Sequence, residues 1–282
     1  MSTLSIADAL AYRGQLAALS DSAELDTALL LCYCLGKPRS YLYSWPERAL
    51  TAEEQAQFQA LFARRAAGEP IAHILGYRDF WSLSLAVSPA SLIPRPDTEC
   101  LVERALEIIR DQIRPQILDL GTGTGAIALA LASERSDADV LGLDCVADAV
   151  ALAKANSTAL SLRNVRFQQS NWFAALDAKR YQLIVSNPPY IDADDPHLRE
   201  GDLRFEPRSA LVAADGGMAD LKHIIQFAPE YLHADGVLLL EHGFQQASAV
   251  RQVFSERGFS GVETRCDYGG NERISWGVWR HE

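Results

Sequence analysis

Long apolar runs are what this sequence most lacks. No stretch approaches the ~20 uncharged residues that a membrane-crossing helix requires, so no membrane partner is expected. The opening Met1-Ser2-Thr3-Leu4-Ser5 has neither the basic start nor the apolar centre of a secretory signal, and a cytoplasmic protein is expected. Cysteine is scarce too. The five present (Cys32, Cys34, Cys100, Cys145 and Cys266) are odd in number and scattered. No pair repeats the two-residue gap of a zinc site and none stands beside a histidine at ligand spacing. Reduced, mostly packed thiols and no metal are expected. Basic charge is the third shortage. Lys and Arg number 26 against 37 Asp and Glu, for a net charge of −11, and the basic residues are dispersed. A protein that grips nucleic acid by itself neutralises several phosphates with clustered Lys and Arg. No stable nucleic-acid partner is expected, which leaves proteins and small molecules.

The rest of the composition, 48% hydrophobic and 22% charged over 282 residues, is that of a globular chain long enough for two domains. Residues 1–73 read as a helical N-terminal domain. Asp21 or Ser22 is placed to cap a helix running to Leu35, closed by Gly36 and Pro38. Thr51 with Glu54 three residues on forms a capping box for a helix through Phe58, Leu61 and Phe62 to Gly68. Residues 74–96 carry Tyr77, Phe80, Trp81, Leu83, Leu85 and Val87 and predict a β-hairpin linker, broken by Pro94-Arg95-Pro96. Residues 97–282 then form the larger domain, with a first helix from Asp97 or Thr98 through Leu101, Val102, Leu106 and Ile109.

In that domain short apolar runs alternate with helix-length segments. Ile117–Leu120, Val140–Asp144, Val165–Gln168, Leu183–Ser186 and Val237–Glu241 are candidate strands of a parallel sheet covered by helices on both faces. Val262–Tyr268 and Ile274–Trp279 are separated only by residues 269–273, too few for a crossover helix, so they must run antiparallel. A doubly wound, mostly parallel sheet ending in an antiparallel hairpin is the outline of the class I methyltransferase fold, an α/β architecture.

Two segments carry chemistry. The strand Ile117-Leu118-Asp119-Leu120 runs into Gly121-Thr122-Gly123-Thr124-Gly125 and an alanine-rich helix. Glycines are needed where a backbone turns sharply and approaches a ligand closely. Asp144 ends the next strand, where a carboxylate can accept both hydroxyls of a ribose. Together they indicate a nucleoside cofactor. Asp119, one residue before the turn, sits poorly with a dianionic pyrophosphate but well with the cationic amino group of S-adenosylmethionine. Asn171-Trp172 follows the third strand at the open end of the sheet, with Trp172 placed to lie against an adenine or simply to pack against a helix.

The second segment is Asn187-Pro188-Pro189-Tyr190, directly after Leu183–Ser186. Proline has no N–H, so the turn offers carbonyl oxygens and few competing donors. The Asn187 side-chain oxygen and the Pro188 carbonyl can each accept a hydrogen bond from a planar NH2 group, with Tyr190 packed over that flat group. An amide or aromatic amine nitrogen is a weak nucleophile. Its N–H bonds become more acidic as a methyl group arrives, so these hydrogen bonds strengthen in the transition state. Holding the nitrogen in line does the rest, and no side-chain base is required.

With these segments in view, the sequence resembles the methyltransferases that modify the glutamine of the Gly-Gly-Gln loop in peptide chain release factors. The likeness covers nearly the whole chain. It rests on Pro70-Ile71-Ala72-His73-Ile74-Leu75-Gly76, on Leu92-Ile93-Pro94-Arg95-Pro96-Asp97-Thr98-Glu99, on the glycine turn, Asp144 and the tetrapeptide. Phe205-Glu206-Pro207-Arg208-Ser209-Ala210-Leu211 and Glu241-His242-Gly243 also fit. The resemblance implies S-adenosylmethionine along Gly121 to Gly125, a glutamine entering at Asn187 and a helical domain that helps hold the release factor. A monomer is expected. Asn171 stands where the family pattern has an Asp toward the adenine amino group, a bond that Asn can still accept. The tetrapeptide alone is shared with DNA adenine-N6 methyltransferases, the alternative reading. A nicotinamide-dependent oxidoreductase would account only for the glycine turn and Asp144.

Overall fold

The computed structural model describes residues 3–280. The chain divides into two compact units, one of residues 1–77 with 196–205, the other of 78–195 with 206–282.

The first unit is helical. It comprises α1 (Ile6–Ala11), α2 (Arg13–Leu16), α3 (Ala23–Leu35), α4 (Arg39–Ser44), α5 (Ala52–Ala66) and α6 (Ile71–Leu75). Two capping boxes start its helices, Ser5 with Asp8 for α1 and the expected Thr51 with Glu54 for α5. Gly36 closes α3 in the left-handed conformation at φ 58°, as anticipated. Ser22 does occupy the N-cap of α3 but bonds no helix N–H; its hydroxyl donates to Asp26 at 2.8 Å instead. The competitor is a buried ion pair. Arg65 Nε lies 2.8 Å from Asp26 Oδ2 and Nη1 lies 3.1 Å from Asp202 Oδ1, while the same Nη1 also donates to the carbonyls of Gly68 and Glu69. Around this pair the apolar faces of α1, α3 and α5 close a core that includes Ile6, Leu30, Leu31, Phe58 and Phe62. Ile74 and Leu75, read from sequence as the start of a hairpin, end α6 and belong to this core.

The second unit opens with the strands β1 (Tyr77–Phe80) and β2 (Leu83–Ala86), which pair as a two-stranded sheet. A single 3-10 turn, Pro96–Thr98, leads into α7 (Glu99–Ile108). Then come β3 (Gln116–Leu120), α8 (Ala126–Glu134), β4 (Asp139–Asp144), α9 (Ala147–Ala159), β5 (Val165–Gln169), β6 (Tyr181–Ser186), α10 (Ala219–Phe227), β7 (Leu232–Glu241), α11 (Ala247–Arg257), β8 (Ser260–Cys266) and β9 (Glu272–Trp279). The seven strands of the main sheet lie in the order β5-β4-β3-β6-β7-β9-β8. The first five pair in parallel, and β9 runs antiparallel to both β7 and β8.

Helix α8 shows why the pattern folds this way. Every residue from Ala126 to Ala132 is buried, so it is a core helix apolar on all sides, and its alanines combine high helix propensity with close approach to the sheet. The chain order reverses between β3, which neighbours β4, and β6. Ligands of open α/β sheets bind at such a switch point, outside the carboxyl ends of the strands.

Candidate active site

A cavity of about 280 Å³ opens at that switch point. It brings together Gly121, Thr122, Gly123 and Thr124 after β3, Asp144 at the end of β4, Asn171 and Trp172 after β5, and Asn187 and Pro189 after β6. Four of the residues singled out in the sequence, Asp119, Gly125, Pro188 and Tyr190, do not line it.

The glycine turn is left-handed at all three glycines, with φ of 70° at Gly121, 55° at Gly123 and 85° at Gly125. They are glycine for different reasons. Side chains at Gly121 and Gly123 would point at Trp172 and Ser91, 3.7 and 3.6 Å away, into the cavity wall. A Cβ on Gly125 would meet Leu129, Phe167 and Ala153 at 3.0–3.2 Å. Its job is packing α8 and α9 onto the sheet.

Asp144 braces the turn. Its Oδ2 accepts from the Gly123 N–H and its Oδ1 from the Val146 N–H, both at 2.9 Å. Each oxygen keeps a second lone pair, so the carboxylate can still accept from a diol in the cavity. Asp119 is fully buried behind the turn. Its Oδ2 accepts the Thr122 hydroxyl at 2.6 Å, whereas Oδ1 finds no hydrogen-bond partner among the described residues. Burial pushes its pKa up to about 7 against the opposing Thr122 hydroxyl and the weaker pull of the Ala128 backbone. Trp172 adopts a left-handed backbone at φ 47°, costly for a residue with a side chain. Its six-membered ring thereby lies over Gly121.

The tetrapeptide is held from behind. Gln246 Nε2 donates to the Tyr190 carbonyl at 2.9 Å, and Gly217 passes so close that a Cβ there would stand 2.2 Å from that oxygen. Asn187 Nδ2 donates to Thr98 Oγ1 at 3.2 Å, Thr98 Oγ1 donates to Glu241 Oε2 at 2.7 Å, and the Tyr190 hydroxyl donates to Glu241 Oε1 at 3.2 Å. Tyr190 thus has its hydroxyl bound to Glu241 and its ring against the core cluster that contains Ile184 and Leu240, rather than lying open over the cavity as the sequence suggested. Burial raises its pKa further above the ordinary phenol range, so it stays a neutral donor. Glu241, the last residue of β7, is only 2% exposed, and burial pushes its pKa up to about 7.

Sequence reasoning missed Thr98 and Glu241 as parts of the site. Thr98 follows Pro-Arg-Pro-Asp, and the sequence marks it only as a candidate helix start. It occupies the N-cap of α7 without capping it, because its hydroxyl serves Glu241. A second buried acid supports the same wall. Glu206 accepts the Ile93 N–H at 3.0 Å and is paired with Arg95, and both Arg95 and the neighbouring Pro94 line the cavity.

Fold and site together define a methyltransferase. Residues 11–76 match the PrmC N-terminal domain and residues 98–200 the Methyltransferase small domain. The chain is 59% identical over 258 residues to the release factor glutamine methyltransferase of Salmonella typhimurium strain LT2, with 92% of this chain and 93% of that protein covered. It is 55% identical over 258 residues to the Escherichia coli K12 protein of the same name, with the same shares covered. Among solved structures, the T. thermophilus 16S rRNA N2 G1207 methyltransferase in complex with AdoMet and guanosine is 21% identical with a TM-score of 0.52, covering 72% of this chain and 50% of that one. That likeness is one of fold. The chain belongs to the release factor glutamine methyltransferase family.

Proposed function

We propose that the protein transfers a methyl group from S-adenosylmethionine to the side-chain amide nitrogen of the glutamine in the Gly-Gly-Gln loop of peptide chain release factors, acting in the cytoplasm on translation termination. The observation that carries this reading is the amide of Asn187, bound through its NH2 end to Thr98, so that its oxygen lies on the other side and can accept from a substrate NH2 group.

The residues fit such a donor. The orphaned Oδ1 of buried Asp119 suits a nearby ammonium group, the second lone pairs of Asp144 suit the ribose hydroxyls, and Trp172 and Asn171 suit the adenine. When bound, the donor supplies an electrophilic methyl group on a positively charged sulfur. The chain's own part is to orient and to accept. Asn187 Oδ1, on the cavity wall, and the Pro188 carbonyl are proposed to hold the two amide hydrogens. As the nitrogen takes the methyl group and the sulfur keeps the electron pair, the bonds to the acceptors tighten, and one of the two hydrogens is then lost to water as a proton. The Pro188-Pro189 turn adds no N–H that would compete for the acceptors. The helical unit is proposed to contact the release factor, and the enzyme to work as a monomer.

Radiolabel transfer from the methyl donor tests the reading. Label is expected in release factor, absent from a release factor whose Gly-Gly-Gln glutamine is replaced, and absent from an adenine-bearing oligonucleotide. Label only on the oligonucleotide would establish the adenine-N6 alternative in its place.

Two further outcomes follow for the donor site. Asp144→Ala is expected to weaken S-adenosylhomocysteine binding by about 1–3 kcal/mol, since a charged acceptor and the brace on Gly123 go together. An unchanged dissociation constant by calorimetry would remove Asp144 from the site. The second concerns pH. The ionised form of Asp119 is the one that attracts a cation, and with its pKa raised to about 7 the free protein takes up that proton as pH falls through neutrality. Affinity for the amino-bearing product should therefore be higher at pH 8 than at pH 6. In Asp119→Asn the affinity should be lower and nearly flat over this window. An equal pH slope in the variant would assign the dependence to another group.

A further inference from the structure

Methyl transfer calls on Asn187, but the hydrogen bonds behind it run on to Thr98 and Glu241. An asparagine amide is nearly symmetric in shape, so packing alone does not distinguish its oxygen from its nitrogen. The distinction must come from a neighbour that is only a donor or only an acceptor. A threonine hydroxyl is by itself neither, because it carries one hydrogen and two lone pairs. With Glu241 ionised, that hydrogen is committed. Thr98 Oγ1 stands 2.7 Å from Glu241 Oε2, a bond buried on both sides. Toward Asn187, 3.2 Å away, Thr98 can therefore offer only a lone pair, and only the NH2 end of the amide fits against it.

The reversed amide would oppose two oxygens, or else would take the hydroxyl hydrogen from Glu241. Glu241 would then keep the Tyr190 hydroxyl at 3.2 Å but lose the shorter of its two bonds, and an under-bonded buried carboxylate is costly. The reversed amide would also present N–H groups to a substrate nitrogen that brings N–H groups of its own. We propose that Thr98 and Glu241 are positioning residues that fix the orientation of the Asn187 amide, holding its oxygen toward the substrate; the inference rests on the reading above of Asn187 as the substrate acceptor.

Thr98→Val keeps the shape and removes the hydroxyl, and Thr98→Ser restores the hydroxyl. Single-turnover methylation of release factor at saturating substrate is expected to fall about ten- to a hundred-fold in Thr98→Val. S-adenosylhomocysteine affinity should stay within about threefold, and Thr98→Ser should recover most of the rate. The Asn187 side-chain amide resonance, identified by its loss in Asn187→Ala, should move in the valine variant and return in the serine variant. Wild-type turnover in Thr98→Val with an impaired Asn187→Ala would overturn the orienting role while leaving the acceptor role of Asn187 standing. Loss of rate and donor affinity in the same proportion would equally overturn it, because that is what a general loosening of the site produces. Wild-type turnover in Asn187→Ala would remove the parent reading and this inference with it. Should Thr98→Val not fold, Glu241→Gln carries the test. Its carboxamide can turn an N–H to Thr98 and free the hydroxyl hydrogen toward Asn187, so slower turnover with donor affinity kept is expected, and wild-type turnover overturns the proposal.

Discussion

Replacing Asn187 by alanine is expected to slow single-turnover methylation of release factor about a hundred- to a thousand-fold while S-adenosylhomocysteine binding changes far less. One of the two proposed acceptors is lost from the place where hydrogen bonds would matter most as the new N–C bond forms. The glycine turn and Asp144, which are proposed to hold the donor, follow β3 and end β4, away from the tetrapeptide in sequence. Asn187→Asp is the sharper probe. If acceptance is the whole role of Asn187, aspartate should surpass alanine because it keeps an acceptor in place; if its charge holds the donor's cation in the ground state, turnover falls with tighter donor binding. The hydrogen bonds behind Asn187 weigh against the first outcome. Aspartate has no N–H for Thr98, whose hydrogen already goes to Glu241, so it would set a carboxylate oxygen against an oxygen that can only accept. Turnover no better than in Asn187→Ala is now the expected result, measured with both variants at saturating donor. Wild-type turnover in the alanine variant would mean that the tetrapeptide only shapes its loop.

The largest expected effect on stability lies in the helical unit. Arg65→Ala should destabilise the protein by about 3–5 kcal/mol, the range for breaking a buried ion pair by removing one partner. The side chains of Arg65 and Asp26 are 7% and 6% exposed. Without the guanidinium, Asp26 would keep only the hydroxyls of Ser20 and Ser22, and the carbonyls of Gly68 and Glu69 would lose their donor. Denaturant unfolding of the two forms measures the difference. Arg65→Met with Asp26→Asn should recover a good part of it, since the unpaired charge is then gone. A loss below about 1 kcal/mol for Arg65→Ala would place this pair with screened surface bridges.

How far the residues themselves disclosed this arrangement depends on the range of the interaction involved. All seven strands of the main sheet were legible, the inner ones as short apolar runs and β5 and β8 as short alternating segments, and only their ends moved. β7, for example, begins at Leu232 rather than Val237. The capping box at Thr51 is local, and it is present as read. Ser22, read as a cap, and Thr98, read as a helix start, hide their partners in the same way. Each sits at a helix start where a cap is the local expectation, and each turns its hydroxyl to an acid, Asp26 for Ser22 and Glu241 for Thr98. The Thr98–Glu241 bond spans 143 residues, and no local pattern reports it. Gly125 was read with the other two glycines because the motif spaces them evenly, yet its neighbours Phe167 and Ala153 come from later elements.

The grouping of residues 196–205 with the helices was the least visible feature, since ten residues far along the chain carry no local mark of belonging there. It bears on how the gene can be divided. The polypeptide passes between the units three times, after residues 77, 195 and 205, and the excursion is pinned where it leaves and returns by the bridge of Ile191 with Val212. A gene fragment beginning at codon 78 would therefore encode Asp202 without its Arg65, and a fragment ending at codon 77 would encode Arg65 without Asp202. Neither half is a self-contained module. A hybrid gene made by joining one relative's first 77 codons to another's remainder must match the two parents at codons 196–205 as well, so recombination at the apparent domain boundary transmits only part of the helical unit.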